Sequence, residues 1–196
     1  KPSRIEIFQV NIGYMCNQVC KHCHVDAGPD RKEMMTRETM QQCLDVVKRA
    51  KLKTLDITGG APEMNPDFRW FVQQARAMGV EEIIVRSNLT ILTANPKYKD
   101  LPTFFKENKV RVVSSLPFYN ADKTDRQRGQ GVFGDSIKGL RLLNDVGYGK
   151  TDSGMHKDLV YNPTGAFLPG DKHQLERDFK LELKKHFDID FNSLFT

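Results

Sequence analysis

Three of the four cysteines fall within one short stretch, Cys16-Asn17-Gln18-Val19-Cys20-Lys21-His22-Cys23, whereas the fourth, Cys43, stands apart. A C-x3-C-x2-C spacing lets a single irregular loop wrap three thiolates around one cuboidal iron-sulfur cluster. Such clusters usually take four cysteines, so three ligands leave one iron open to an exogenous group. Other readings compete. A zinc site could draw on His22 or His24 as a fourth ligand, although zinc modules usually pair their ligands at wider separation. A disulfide framework would want an even count in an exported chain. Purely structural thiols would have to account for the crowding of three cysteines in a polar loop. Cys43 lies on an apolar helical stripe, where a free cysteine packs as a small hydrophobe.

The elements that must position this loop follow from the pattern of apolar residues. Runs rich in β-branched residues begin near Ile5, Thr54, Glu82, Val110, Leu159 and Asp188, separated by amphipathic stretches. That alternation predicts βα units around a parallel sheet. The first helix is expected to start after Thr36 as N-cap and to place Met40, Cys43, Leu44, Val47 and Ala50 on one face. The second takes Asn65 as N-cap, Pro66 at the first helical position and Asp67 in the first turn, turns Phe68, Phe71, Val72, Ala75 and Met78 inward, and ends at Gly79. Shorter signals predict helices over residues 102–106, 135–146 (ended by Gly147) and 172–187. Six such units fit an open doubly wound sheet or an incomplete (β/α) barrel, and both gather ligands at the carboxyl ends of the strands. Residues 11–24, 58–64, 87–90, 114–118 and 162–165 are therefore the ones to inspect. Residues 147–157, with three glycines and no periodicity, are the expected mobile segment.

Composition narrows the classes. A chain of 196 residues with 39% apolar and 28% charged side chains reads as one soluble globular domain, without the ~20-residue apolar stretch of a membrane helix. The start, Lys1-Pro2-Ser3-Arg4, runs directly into strand-like residues without a signal h-region, so a cytoplasmic location is expected. The net charge of +5 is scattered. Lys48, Arg49 and Lys51 close the first helix and Lys184 and Lys185 lie on another, so the charges read as solvated surface rather than a nucleic-acid face. The sequon Asn88-Leu89-Thr90 carries no weight without a secretory context.

The cysteine spacing, with His22 in the aromatic-type position before the last cysteine and the loop placed after the first strand, resembles the signature of the radical S-adenosylmethionine (SAM) superfamily. That resemblance implies an α/β fold, an incomplete (β/α)6 TIM-type barrel of parallel strands. It also implies one [4Fe-4S] cluster on Cys16, Cys20 and Cys23, with SAM chelating the open iron and cleaved to a 5'-deoxyadenosyl radical. After the second strand, Gly59-Gly60-Ala61-Pro62-Glu63 resembles the family's Gly-Gly-Glu-Pro type turn, whose backbone binds the SAM amino group; glycine permits that close approach. Here Glu63 follows the proline instead of preceding it. By the same resemblance Gly59, Gly60, Ala61 and Pro62 bind cofactor, and Ser87, Asn88, Ser114 and Ser115 face the SAM ribose and carboxylate. Arg128, in the run Arg126-Gln127-Arg128-Gly129, pairs with the carboxylate. Tyr14, His24, Asp26 and Tyr161 are candidates to line the site. No general base is demanded for SAM cleavage.

Longer stretches are more distinctive. Asn11 to Pro29, Thr58-Gly59-Gly60-Ala61-Pro62-Glu63-Met64-Asn65-Pro66, Arg86-Ser87-Asn88-Leu89-Thr90 and the run from Val160 through Asn162-Pro163-Thr164-Gly165 to Gly170 resemble the arsenosugar-biosynthesis radical SAM proteins, also described as radical SAM/Cys-rich domain proteins. This implies adenosyl transfer to a methylated arsenical, a small-molecule substrate, and an electron donor such as flavodoxin or ferredoxin. That family carries a further C-terminal, cysteine-containing domain, which residues 1–196 do not include. A peptide- or RNA-modifying radical SAM enzyme shares every cofactor residue. A zinc-binding module without catalysis is the reading from another class.

Overall fold

The computed structural model describes residues 5–21, 23–162 and 171–196. His22 and the motif residues 163–170 lie outside the described residues. Along the chain run β1 (Ile7–Asn11), α1 (Arg37–Ala50), β2 (Thr54–Thr58), α2 (Phe68–Ala77), β3 (Glu82–Ser87), α3 (Ile91–Ala94), α4 (Leu101–Glu107), β4 (Val110–Ser115), α5 (Ala121–Arg128), α6 (Val132–Asp145), β5 (Lys157–Val160), α7 (Lys172–Phe187) and β6 (Leu194–Phe195). The six strands form one sheet in chain order, each parallel to the next. A doubly wound sheet would reverse its strand order partway. No reversal occurs here, so the arrangement is that of an incomplete barrel. None of the described helices is long and apolar enough to cross a membrane.

Local signals account for most boundaries. Thr36 caps α1 by accepting the Thr39 N–H, and Met40, Leu44 and Val47 bury against the sheet while Cys43 is half-buried and Ala50 is exposed. Helix α2 starts at Phe68 because Asn65 closes a 3-10 turn over Pro62–Met64. The Asn65 side chain still accepts the Asp67 N–H, and its Nδ2 donates to Ile12 O at 2.9 Å and Met35 O at 3.0 Å, tying the exit of β1 to the entry of α1. Met78 stays at the surface instead of turning inward. Helix α5 is too polar for an apolar stripe to announce it; Asn120 starts it by accepting the Lys123 N–H. The last strand lies at Leu194–Phe195 and not from Asp188, which instead closes α7 in the left-handed region at φ +54°.

Side chains alternate along each strand, and the two faces of the sheet differ. Val10, Leu55, Ile57, Ile83, Val85, Val110, Val112 and Leu159 pack outward beneath the helices, each fully buried aliphatic side chain contributing about 1.5–3 kcal/mol. The inner face is polar. Arg86 on β3 reaches Asp56 on β2 (Nη2–Oδ2 2.8 Å), which also accepts from Gln9 Nε2 on β1 at 2.8 Å. Arg111 on β4 bridges Asp158 on β5 (2.6 Å) and Glu82 on β3 (2.9 Å). These pairs stitch neighbouring strands across the inside of the barrel.

Two ionisable groups sit where the apolar layer should be. Lys157 is fully buried, with Nζ donating to Leu140 O at 3.1 Å, and burial pulls its pKa down to about 7. Glu63 is buried with neither carboxyl oxygen well hydrogen-bonded, and that desolvation pushes it up to about 7, a shift the nearby Ser87 hydroxyl only partly relieves. A carboxyl that titrates near 7 folded and near 4.5 unfolded contributes its full stability below about pH 4.5 and loses it as pH rises through 7. The loss integrates to about 3 kcal/mol. Glu63→Gln is expected to flatten that part of the pH dependence, so urea titrations at pH 5 and pH 8 should differ by about 2.5 kcal/mol less for the variant than for the parent. An unchanged difference would mean that the carboxyl is paired in the folded chain.

Candidate functional site

The cysteine loop leaves the carboxyl end of β1 and is held there by backbone hydrogen bonds. Tyr14 N donates to Glu33 O (2.9 Å), Cys16 N to Gly28 O (3.1 Å) and Gly28 N to Tyr14 O (3.1 Å). The glycine turn after β2 docks directly onto this loop: Gly60 N donates to Gly13 O and Ala61 N to Met15 O, both at 2.9 Å. A Cβ at Gly60 would lie 2.5 Å from Met15 O, and one at Gly59, where φ is +148°, would lie 2.6 Å from Gly13 O. Neither carbonyl can retreat without breaking the ladder. The nearest constraint on the glycines is thus contact with the cysteine loop itself, in addition to any approach to a ligand.

Cys16, Cys20, Cys23, Gly59 and Gly60 all line one cavity of about 400 Å³ at the carboxyl ends of the strands. Among the described residues no three His, Cys, Asp or Glu side chains meet at the spacing of a single-ion site. Thiolates around one zinc would stand ~3.8 Å apart. A cuboidal cluster sets its cysteine ligands wider. Two of the three loop sulfurs already receive N–H donors, Cys16 from Asn88 Nδ2 at 3.4 Å and Cys23 from Ala27 N at 3.3 Å. Cys20 faces Gln18 Oε1 at 3.6 Å. Burial pushes the Cys16 thiol up, while the Gln18 backbone, Asn88 and Arg128 act the other way.

Asn88 is more than a strand-end cap. Its amide also donates to Asn17 Oδ1 (2.7 Å) and accepts from Ile91 N (3.0 Å), while Asn17 Nδ2 reaches Thr90 Oγ1 (2.9 Å). The sequon Asn88-Leu89-Thr90 is therefore buried and spent on this network, with no room for a glycan. Arg128, the last residue of α5, is buried. It donates through Nη2 to Gln18 Oε1 (2.9 Å) and through Nη1 to Ser115 O. Its Nε and the Gln18 Nε2 are buried donors without an acceptor, which is what a ligand carboxylate would supply.

The other sequence candidates divide. Ser87, Asn88, Ser115, Arg128 and His24 line the cavity. Ala61, Pro62 and Ser114 do not: Ala61 spends its N–H on Met15, Pro62 begins the 3-10 turn, and Ser114 shares the outward face of β4 with Val112. Asp26 is exposed and pairs with Arg31, whose guanidinium lies 4.9 Å over the Tyr14 ring. Tyr161 packs on Phe179 at 6.1 Å. Gln18, inside the stretch 11–24, and Arg86, Val113 and Val160, within the strands, line the cavity as well. Strand alternation held the signal for Arg86 and Val113, since inspection confined to residues beyond the strand ends misses inward positions one step earlier.

Comparison with known proteins places this geometry. The sequence model of the Radical SAM superfamily matches residues 10–158. The mycofactocin maturase MftC of Mycobacterium ulcerans is 29% identical over 136 residues, which are 69% of this chain and 35% of that protein. A probable GTP 3',8-cyclase of Saccharolobus solfataricus is 23% identical over 144 residues, 73% of this chain and 45% of its own. Streptococcus suis SuiB, in a crystal structure bound to S-adenosylmethionine, shares the fold with a TM-score of 0.66 at 16% identity, over 92% of this chain and 39% of its own. The chain thus spans less than half the length of each of these relatives. With the cysteine loop, the glycine turn, strands β2 to β4 and Arg128 all inside the matched stretch, the chain belongs to the radical SAM superfamily.

Proposed function

We propose that residues 1–196 form the radical-generating core domain of an iron-sulfur enzyme, in which Cys16, Cys20 and Cys23 hold one [4Fe-4S] cluster and the adjoining cavity takes SAM. The observation that carries this reading is the single cavity at the strand ends onto which the three sulfurs and the Gly59-Gly60 turn both open. When bound, cluster and SAM together supply one-electron cleavage of the sulfonium carbon-sulfur bond, giving methionine and a 5'-deoxyadenosyl radical. The residues of this chain do the rest. Asn88 and the Ala27 N–H donate to ligand sulfurs, Gln18 and Arg128 offer the unmatched donors to the SAM carboxylate, and the Gly59-Gly60 backbone lies open to its amino group. The electron comes from a reduced carrier of the flavodoxin or ferredoxin type, in the cytoplasm, where thiols stay reduced.

For the substrate, the long motifs support adenosyl transfer to a methylated arsenical, with the cysteine-containing C-terminal domain of the arsenosugar proteins completing the substrate site. The relatives favour a second reading, since MftC is named a maturase and SuiB has also been crystallised with its precursor peptide SuiA. Incubating reconstituted protein with SAM, reductant and either a dimethylated arsenical or a candidate peptide separates the two by the mass of the product.

Anaerobic reconstitution with iron and sulfide should give about four irons per chain and slow release of 5'-deoxyadenosine from SAM. Alanine at Cys16, Cys20 or Cys23 should abolish both. Cys43→Ala should keep the irons and cost about 1 kcal/mol of packing. Iron loss on that change alone would move Cys43 into the site.

Asn88→Ala removes a donor to the Cys16 sulfur, and such donors stabilise the extra negative charge of a reduced cluster. A hydrogen bond worth ~0.5–1.5 kcal/mol corresponds to a drop of about 20–60 mV in a one-electron potential. Spectroelectrochemical titration of variant and parent measures it. An unchanged potential would show that Asn88 serves only the Asn17–Thr90 network.

A further inference from the structure

Arg86 is the second arginine that lines the cavity, besides Arg128. It reaches in from the inner face of β3, with its side chain 44% exposed. One edge of the guanidinium is fixed, with Nε 3.0 Å and Nη2 2.8 Å from the oxygens of the buried Asp56. Gln9 holds the same carboxylate at 2.8 Å. The other edge is free: among the described residues Nη1 makes no hydrogen bond. Val113 and Val160, on the neighbouring strands, give the cavity apolar wall, and no Asp or Glu is among its described lining. A guanidinium clamped on one edge presents its remaining N–H groups in a set direction, so little conformational entropy is lost when an acceptor arrives. An anionic oxygen satisfies that edge with a charge-assisted hydrogen bond, and the valines suit an alkyl body attached to it. A neutral guest without an acceptor would close the cavity over an unsatisfied donor.

We propose that Arg86 is the anion-binding residue for the substrate, and that the substrate is a small molecule joining an oxyanion to alkyl groups. This rests on the cavity being the cofactor site described above. It narrows an arsenical substrate to a trivalent dimethylarsinite, whose arsenic lone pair is open to the adenosyl carbon and for which pentavalent dimethylarsinate is a non-reacting stand-in, and otherwise specifies an alkyl carboxylate. The shared chemistry is one anionic oxygen group within reach of Nη1.

The test is calorimetric titration of anaerobically reconstituted, SAM-loaded protein with sodium dimethylarsinate and, separately, sodium acetate. The parent is compared with Arg86→Gln and with the double variant Asp56→Asn/Arg86→Gln, which avoids leaving a buried carboxylate unpaired. At least one anion should bind the parent saturably and bind both variants about 10- to 100-fold more weakly, the scale of one hydrogen bond to a charged group. Iron content and SAM affinity should be unchanged in the variants. Tighter binding of dimethylarsinate assigns the site to an arsenic oxyanion; tighter binding of acetate assigns it to a carboxylate. Equal anion affinity in parent and variants would overturn the proposal, as would a SAM-competent parent that binds neither anion. Loss of SAM affinity with Arg86 would give this arginine to the cofactor and overturn it too. A parent that takes up neither iron nor SAM would instead overturn the cofactor reading on which the proposal stands.

Discussion

Two backbone hydrogen bonds, from Gly60 N to Gly13 O and from Ala61 N to Met15 O, lock the loop after β2 onto the loop after β1. They leave no space for a side chain at Gly59 or Gly60, so the two segments behave as one unit. Everything at the cavity depends on that docking. It fixes the path of the chain into Cys16 and sets the glycine backbone at the edge of the same space. Because the bonds are main-chain to main-chain, the geometry survives changes in neighbouring side chains but not the addition of a Cβ. Local rigidity of this kind is what a site needs when its chemistry is supplied by bound cofactors and the protein's task is to position them.

The barrel divides labour between its two faces. Outside, aliphatic side chains bury beneath the helices and hold the sheet. Inside, Asp56 with Arg86 and Asp158 with Arg111 carry opposite charges across adjacent strands. A buried ion pair gains little net stability once desolvation is counted, so these pairs add more to directional order than to the folding free energy. Their directionality is useful, because each arginine is oriented by a carboxylate that is itself buried. The open cavity above them mixes that polarity with valine walls, and a guest must match both.

Much of this was legible from residue order alone. The cysteine spacing, the Gly-Gly turn and the alternation of apolar runs locate the loops, because each depends on neighbours within a few residues. Helix α7 and the Thr36 cap of α1 fall where periodicity and capping place them, for the same reason. What escaped depends on contacts distant in the chain. Gln18 and Arg128 meet across 110 positions, and nothing local announces their partnership. Arg86 lies inside a strand, where its meaning comes from which face turns inward. The last strand is two residues long, and only its pairing with β5 makes it a strand at all. The family resemblance points to Ser114 and Ser115 together, but adjacent strand residues face opposite ways, and of the two Ser115 lines the cavity.

The central claim is that the three-cysteine loop and the glycine turn form one site shared by a cluster and SAM. Low-temperature electron paramagnetic resonance of the reconstituted, dithionite-reduced chain, recorded with and without SAM, tests it most directly. The account predicts the signal of a reduced [4Fe-4S] centre whose g values shift when SAM is added, because SAM occupies the iron that the three cysteines leave open. A cluster signal that SAM leaves unchanged, or a reduced chain with no such signal at full iron loading, would contradict it.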